Sequence, residues 1–294
     1  MPCYNEEQAL PYFFEAISSV EKTLQINGHT LEIIYVDDGS KDKTLELLHE
    51  EADKNSRKFI SFSRNFGKEA AIYAGLQHAS GDYISLMDAD LQDPPEMLVE
   101  MAEILKNSDY DCVATRRVNR DGEPPVRSWF AHKFYQIINK ISDADIMDGA
   151  RDFRMMKRSM VDAILKITEH NRFSKGIFGW VGFKIKWLDF KNRERVAGVT
   201  KWSFWKLFKY ALDGIVDFSD ALLKIPYILG AIYLLIYLFE RFVVRYIRVD
   251  SLIVLGVLAI LLSLGIFGMY IKNIYADTRN RPIYIIRETN IDKI

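Results

Sequence analysis

The chain has 294 residues, enough for one large domain or two ordinary ones with a well-buried core. Its 39 basic and 40 acidic residues leave a formal charge of −1, without the basic footprint that a nucleic-acid partner would demand. Cys3 and Cys112 lie far apart without paired spacing, which argues against a zinc site or disulfide framework and for two free thiols.

In chain order, Met1 to Tyr4 opens straight into a predicted helix over 6–24, with Asn5 as its N-cap, so a first strand reads as missing. A strand follows over Leu31 to Val36, then a helix over 43–55 capped by Ser40 or Asp42. Further strands are expected at Phe59 to Phe62, Tyr83 to Met87, Cys112 to Thr115 and Ile185 to Phe190, with another helix over 95–106. This alternation is the signature of an α/β domain, a mostly parallel sheet covered by helices, over residues 1–200.

Beyond it, Phe204, Leu207, Phe208, Ala211, Leu212, Ile215 and Val216 recur at helical spacing behind Trp202 and Trp205. Residues 201–224 are therefore expected to form an amphipathic juxtamembrane helix, lying either in the headgroup layer or on the domain's own core. Residues 251–271 form an apolar run long enough to cross a hydrocarbon core of about 30 Å. A shorter run over 225–239 reaches that length by extension to about 222–244, so 225–271 is expected to be a transmembrane hairpin in the lipid bilayer. A hairpin puts residues 1–200 and the tail 272–294 on one side. The mild excess of Lys and Arg at both flanks assigns that side to the cytoplasm of a multi-pass membrane protein. Gly256, Gly265 and Gly268 would allow close helix packing, in keeping with a homo-oligomer.

Two acidic clusters follow strands. Asp37 and Asp38 in YVDDGS fall in the crevice beyond a strand's carboxyl end, where open α/β sheets bind ligands. In MDADLQDPPE, the spacing of Asp88 and Asp90 can aim both carboxylates along one face. Hard oxygen ligands of this kind suit Mg2+ or Mn2+, with substrate phosphates completing the coordination. Neither a G-x-x-x-x-G-K-[ST] loop nor G-x-G-x-x-G occurs, so kinase and dehydrogenase readings lack support. The five histidines are scattered without metal-type spacing.

PCYNEE (2–7), VDDGSKDKT (36–44), SRNFGKEAAIYAGLQHASGD (63–82), MDADLQDPPE (87–96), ARDFRMM (150–156), RERVAGVTKW (193–202) and the hairpin occur together and in order. In this the chain resembles, almost end to end, the family 2 glycosyltransferases of the GT-A fold, specifically the polyprenyl-phosphate sugar transferases related to dolichol-phosphate mannose synthase and bactoprenol glucosyltransferase. The resemblance implies a nucleotide pocket at Pro2, Tyr4, Asn5, Glu6, Asp37 and Asp38, and a metal-binding element at Asp88, Asp90 and Gln92. It also implies an essential carboxylate at Asp152, with Asp90 as its catalytic companion. Cations for acceptor or diphosphate are expected at Arg117, Arg127, Arg154, Arg195 and Lys201, with Arg120 and Lys133 as equal candidates. The implied reaction is inverting transfer of a hexose, UDP-glucose being the favoured donor, to undecaprenyl phosphate for cell-envelope glycan modification. A protein or glycan acceptor and an inactive scaffold are the alternatives. The family places an apolar strand before PCYNEE, which implies a truncated or late start here. The missing Q-x-x-R-W motif argues for a single transfer rather than processive synthesis.

Overall fold

In the computed structural model, residues 1–117, 136, 138–142, 147–190, 212–244 and 249–291 are described. Strands β1 (Pro2–Cys3), β2 (Ile34–Asp37), β3 (Lys58–Phe62) and β8 (Ile286–Thr289) form one sheet in that order. Strands β4 (Tyr83–Leu86), β6 (Ala150–Lys157), β5 (Cys112–Arg117) and β7 (Ile185–Phe190) form the other. Pairing is parallel for β1–β2, β2–β3 and β5–β7 and antiparallel for β3–β8, β4–β6 and β5–β6, so parallel and antiparallel pairs share the sheets equally. A short strand does precede the first helix, contrary to the sequence expectation. Pro2 and Cys3 pair with Val36 and Asp37, and Asp38 N–H donates to Cys3 O at 2.9 Å.

The helices explain themselves by what they bury. In α1 (Leu10–Ile26), Leu10, Phe13, Ile17, Val20 and Leu24 form the buried stripe of an amphipathic helix. Asn5 is not its N-cap. At φ 52° it occupies the left-handed region, and its side-chain oxygen accepts from Lys41 N–H at 2.8 Å instead. Helix α2 (Thr44–Asn55) is entered through Asp42, whose Oδ1 accepts from Thr44 N–H at 3.0 Å. Helix α3 (Lys68–His78) buries Ala70, Ala71, Ile72, Ala74 and Leu76, apolar positions that run around its circumference because it touches the cores of both sheets. Helix α4 (Met97–Asn107) covers the other face through Leu98, Met101 and Leu105. Short helices α5 (Arg158–Leu165) and α6 (Ser174–Trp180) follow β6. Both cysteines are buried and unoxidised.

Of the expected juxtamembrane helix over 201–224, residues 212–224 are described. Helix α7 (212–218) packs on the domain, with the Phe218 ring 6.1 Å from that of Phe173 and Val216 buried, and after a break a 3-10 turn, Ala221–Lys224, opens the first apolar stretch. Gly176 lies against Phe218, so close that an added Cβ would approach that ring to 2.5 Å. Residues 201–211, with Trp202 and Trp205, lie outside the described residues.

Two helical stretches, Ala221–Val243 and Val249–Thr278, are long and apolar enough to cross a membrane, and only 0% and 6% of their most apolar windows are buried. A soluble protein's core helix would be mostly covered; these present Leu, Ile and Phe outward instead. The helices α8 (Ile225–Phe239) and α9 (Val249–Thr278) meet where Gly256 passes Tyr233, while Gly265 and Gly268 face open space.

After α9 the chain returns to the domain rather than trailing off as a plain tail. Strand β8 pairs with β3, Asn290 Oδ1 accepts from Phe59 N–H at 2.8 Å, and the Tyr284 ring stacks on Phe62 with centroids 4.9 Å apart. The apolar helices are thereby fastened to the α/β domain on both sides, by Phe218 on Phe173 before α8 and by β8 on β3 after α9.

Candidate active site

Four loops converge at the carboxyl ends of β1, β2 and β4 and the start of β6. The loops after β1 and β2 are laced together: Asn5 N–H donates to Ser40 Oγ at 2.9 Å, Glu6 N–H to Thr44 Oγ1 at 2.7 Å and Glu7 N–H to Asp42 Oδ2 at 3.2 Å. Pro2, Tyr4, Asn5 and Glu6 thus share one rim with Asp37 and Asp38, and all four are partly exposed.

Asp37 and Asp38 are only 1% and 3% exposed, and their oxygens are taken by the protein. Asp37 accepts from Ser40 N–H at 3.0 Å and Ser61 Oγ at 2.8 Å. Asp38 accepts from Phe66 N–H at 2.6 Å, from Gly67 N–H at 3.1 and 3.0 Å, and from Asn65 Nδ2 at 2.8 Å. Burial pushes the Asp38 carboxyl up to about 6 even though the Phe66 and Gly67 N–H groups oppose it. Gly39 must be glycine between these loops, because at φ 66° a Cβ would come within 2.5 Å of Arg64 C.

The second cluster is built differently. The β4–β6 register sets Leu86 opposite Arg154, so Asp88, just beyond β4, comes abreast of Asp152 on the neighbouring strand. Lys68, at the start of α3, bridges them. Its Nζ donates to Asp88 Oδ2 at 2.8 Å and to Asp152 Oδ2 at 2.6 Å. The three side chains keep 35%, 27% and 20% of their surface exposed, so a ligand can reach them. Burial favours protonated Asp152, but Lys68, Lys175 and Arg154 overcome it and hold the carboxyl well below the usual range. Asp152 therefore carries a negative charge at neutral pH. Burial likewise disfavours charged Lys68, and Asp152 and Asp88 overcome it to hold the ammonium firmly protonated.

Asp90 is buried, and its Oδ1 accepts from Gln92 N–H at 3.1 Å across Leu91, whose φ is 54°. Asp93 is buried too and anchors this loop to β6, accepting from Arg151 Nε at 3.0 Å. Burial raises the Asp93 carboxyl to about 6 against the pull of Arg151. Among the described residues no group of three His, Cys, Asp or Glu side chains could hold a metal ion by itself. Asp88 and Asp90 carry hard carboxylate oxygens of the type that Mg2+ and Mn2+ take, and Asp88 already answers one cation, the Lys68 ammonium.

The expected phosphate-binding cations fare unequally. Arg154 is 2% exposed, its guanidinium carbon 3.8 Å from the Phe178 ring centroid, and it donates to Arg151 O at 2.8 Å. That burial sets it apart from an open phosphate-binding cation: β6 lies between β4 and β5, and every residue from Phe153 to Met156 is buried. Arg117 ends β5 and is tied by its N–H to Gly149 O at 3.0 Å. Gly149 lies at φ 77°, where a Cβ would come within 2.7 Å of Arg117 O. Arg120, Arg127, Lys133, Arg195 and Lys201 lie outside the described residues. Sequence reasoning passed over Lys68, Asp93 and Arg151, although each sits inside a quoted motif. Lys68, just after the loop glycine Gly67, carried the strongest signal.

A cavity of about 860 Å³ lies apart from this crevice, where Gln77, Glu169, His170 and Asp277 meet Arg281 and Tyr284 beside the root of α9.

Comparison with known proteins agrees with this architecture. The family described as Glycosyl transferase family 2 matches residues 1–165. CsbB of Bacillus subtilis is 42% identical over 305 residues, covering 99% of this chain and 91% of that protein. The SfII prophage-derived bactoprenol glucosyl transferase of Shigella flexneri is 34% identical over 307 residues, covering 99% and 97%. The prophage bactoprenol glucosyl transferase homolog of Escherichia coli K12 is 35% identical over 300 residues, covering 98% and 97%.

Proposed function

The chain belongs to glycosyl transferase family 2, and from that premise we propose that this glycosyltransferase moves a hexose from a nucleotide-sugar, UDP-glucose first among donors, to undecaprenyl phosphate at the cytoplasmic membrane face. The observation that carries the reading is the reachable pair Asp88 and Asp152, set at adjoining strand ends in a domain fastened to two apolar helices. Those helices span the bilayer as a hairpin and hold the crevice beside a lipid-borne acceptor. Support for that acceptor comes from near-full-length relatives named bactoprenol glucosyl transferase.

In this reading the rim of Pro2, Tyr4, Asn5 and Glu6 takes the base and ribose. Asp37 and Asp38 shape that rim through the loop N–H groups they hold. Asp88 and Asp90, with Gln92 nearby, hold Mg2+ or Mn2+, which when bound supplies positive charge to the departing diphosphate. Arg117 serves the diphosphate or acceptor, joined by Arg127, Arg195 and Lys201. A phosphate monoester with a second pKa near 6 is largely ionised at about pH 7. The attacking oxygen therefore needs no strong base. Asp152, already ionised, orients donor sugar or acceptor so that attack comes from the face opposite the leaving group and inverts the anomeric centre. The product is a polyprenyl-phosphate sugar that serves envelope glycan modification.

The test is transfer from a panel of radiolabelled nucleotide-sugars to undecaprenyl phosphate, with and without Mg2+ or Mn2+, by wild type and D90A. Metal-dependent formation of a lipid-phosphate sugar that D90A loses is the expected result. Transfer to a protein or glycan acceptor alone, or no transfer from any donor, would overturn it.

A further inference from the structure

We propose that Lys68 is a positioning residue for the transfer reaction, holding Asp152 and Asp88 in their working places; this rests on the reading of the crevice as the transfer site. Two carboxylates on neighbouring strand ends repel each other more strongly in a half-buried crevice than in water. The Lys68 ammonium answers both at once, at 2.6 and 2.8 Å.

The lysine is itself held on two sides. Asp38 accepts from the N–H groups of Phe66 and Gly67, fixing the loop that leads into α3. The next residue, Glu69, accepts from Ser174 N–H at 3.1 Å and from the Ser174 hydroxyl, fixing the first turn of α3 to α6. A rigid anchor on both sides of a side chain that still keeps 35% of its surface exposed is a costly arrangement for a mere surface ion pair. It suits a group that must set the direction of Asp152 within a few tenths of an ångström. An ammonium carries three N–H donors, of which these contacts use two. The chain of contacts runs from Asp38 through Gly67 to Lys68 and on to Asp152.

The experiment uses the full chain in detergent with donor and undecaprenyl phosphate, comparing wild type, K68M, K68R, D152N and K68M/D152N for kcat, donor KM and melting temperature. K68M is expected to lower kcat by about 10- to 100-fold, the scale of a misplaced reactive group, and to leave donor KM within about threefold. K68M/D152N should be no slower than D152N, since the two residues act as one unit. K68R, which keeps the charge, should run about tenfold faster than K68M. In melting, K68M should fall below wild type, and adding D152N should restore much of that loss by removing the repulsion. A kcat for K68M within about threefold of wild type overturns the proposal, as does a loss that multiplies with that of D152N or a K68R as slow as K68M. Wild type inactive with every donor would count against the transfer reading itself. The melting cycle then decides the positioning claim, and additive shifts for K68M and D152N would overturn it.

Discussion

Two acidic signatures that follow strands of the same domain, YVDDGS after β2 and MDADLQ after β4, do different physical jobs, the second with Asp152 of β6 brought up against it. Asp37 and Asp38 are buried and surrounded by N–H and O–H donors from Ser40, Ser61, Asn65, Phe66 and Gly67. Asp88 and Asp152 keep exposed surface, and the group they share is a single lysine cation. The first arrangement satisfies charge with fixed backbone dipoles and stiffens loops. The second balances charge with a side chain that a ligand can displace or share. The difference teaches that a strand-end carboxylate is read by what answers its charge, not by its spacing.

The sharpest way to break that comparison is D152N, which keeps the shape of the side chain and removes its charge. Transfer should fall by about 1,000-fold or more, equivalent to about 4 kcal/mol of barrier, measured as kcat in the lipid-phosphate assay. For D90A the expected loss is about 100-fold, read as kcat across a Mg2+ or Mn2+ titration in the same assay. D38A should act chiefly on stability. It strips a partner from the part-buried Phe66 and Gly67 N–H groups; two donors at about 1–3 kcal/mol each, held to the lower part of that range because water reaches this loop, give a loss of about 2–4 kcal/mol in chemical denaturation.

Arg154 sharpens the contrast from the other side: R154M should lower the melting temperature while leaving the KM for undecaprenyl phosphate within about threefold, because the guanidinium lies on Phe178 in the interior. The smallest effect concerns the joint between domain and apolar helices. Asp217 accepts from Asn171 and Asn273 side chains, and burial raises its carboxyl from 3.8 to about 7. Folded protein therefore binds a proton that unfolded chain has released. This contribution to stability is present at low pH, falls as pH rises through the interval between those values, and is gone above the upper one. D217N should flatten that slope in melting curves recorded from about pH 5 to 8.

Much of this was legible in the sequence because local pattern and tertiary role coincide. Helix α1 announces itself by Leu10, Phe13, Ile17, Val20 and Leu24, and Ile185–Phe190 was found residue for residue. Helix α3 was not, because burial against both sheets makes its apolar positions run all round and erases the amphipathic period. Strand β6 was hidden by Arg151, Asp152 and Arg154, charges that look wrong for a central strand until Asp93, Lys68 and Phe178 are seen to answer them. Strand β8 is short and exposed at a sheet edge, paired with residues more than 200 positions earlier, so no local signal marks it. Within the site, Asp88, Asp90 and Asp152 stood out as acidic residues in matching motifs. The role of Lys68 did not, because it depends on two strands meeting in antiparallel register.

The most direct measurement of the central claim sets D38A and D152N side by side, each assayed for melting temperature and for transfer of labelled hexose to undecaprenyl phosphate. The account predicts D152N melting within a few degrees of wild type with transfer all but lost, and D38A melting well below both. D152N retaining most of its activity would contradict it, because the charge held between Lys68 and the crevice would then have no part in the reaction.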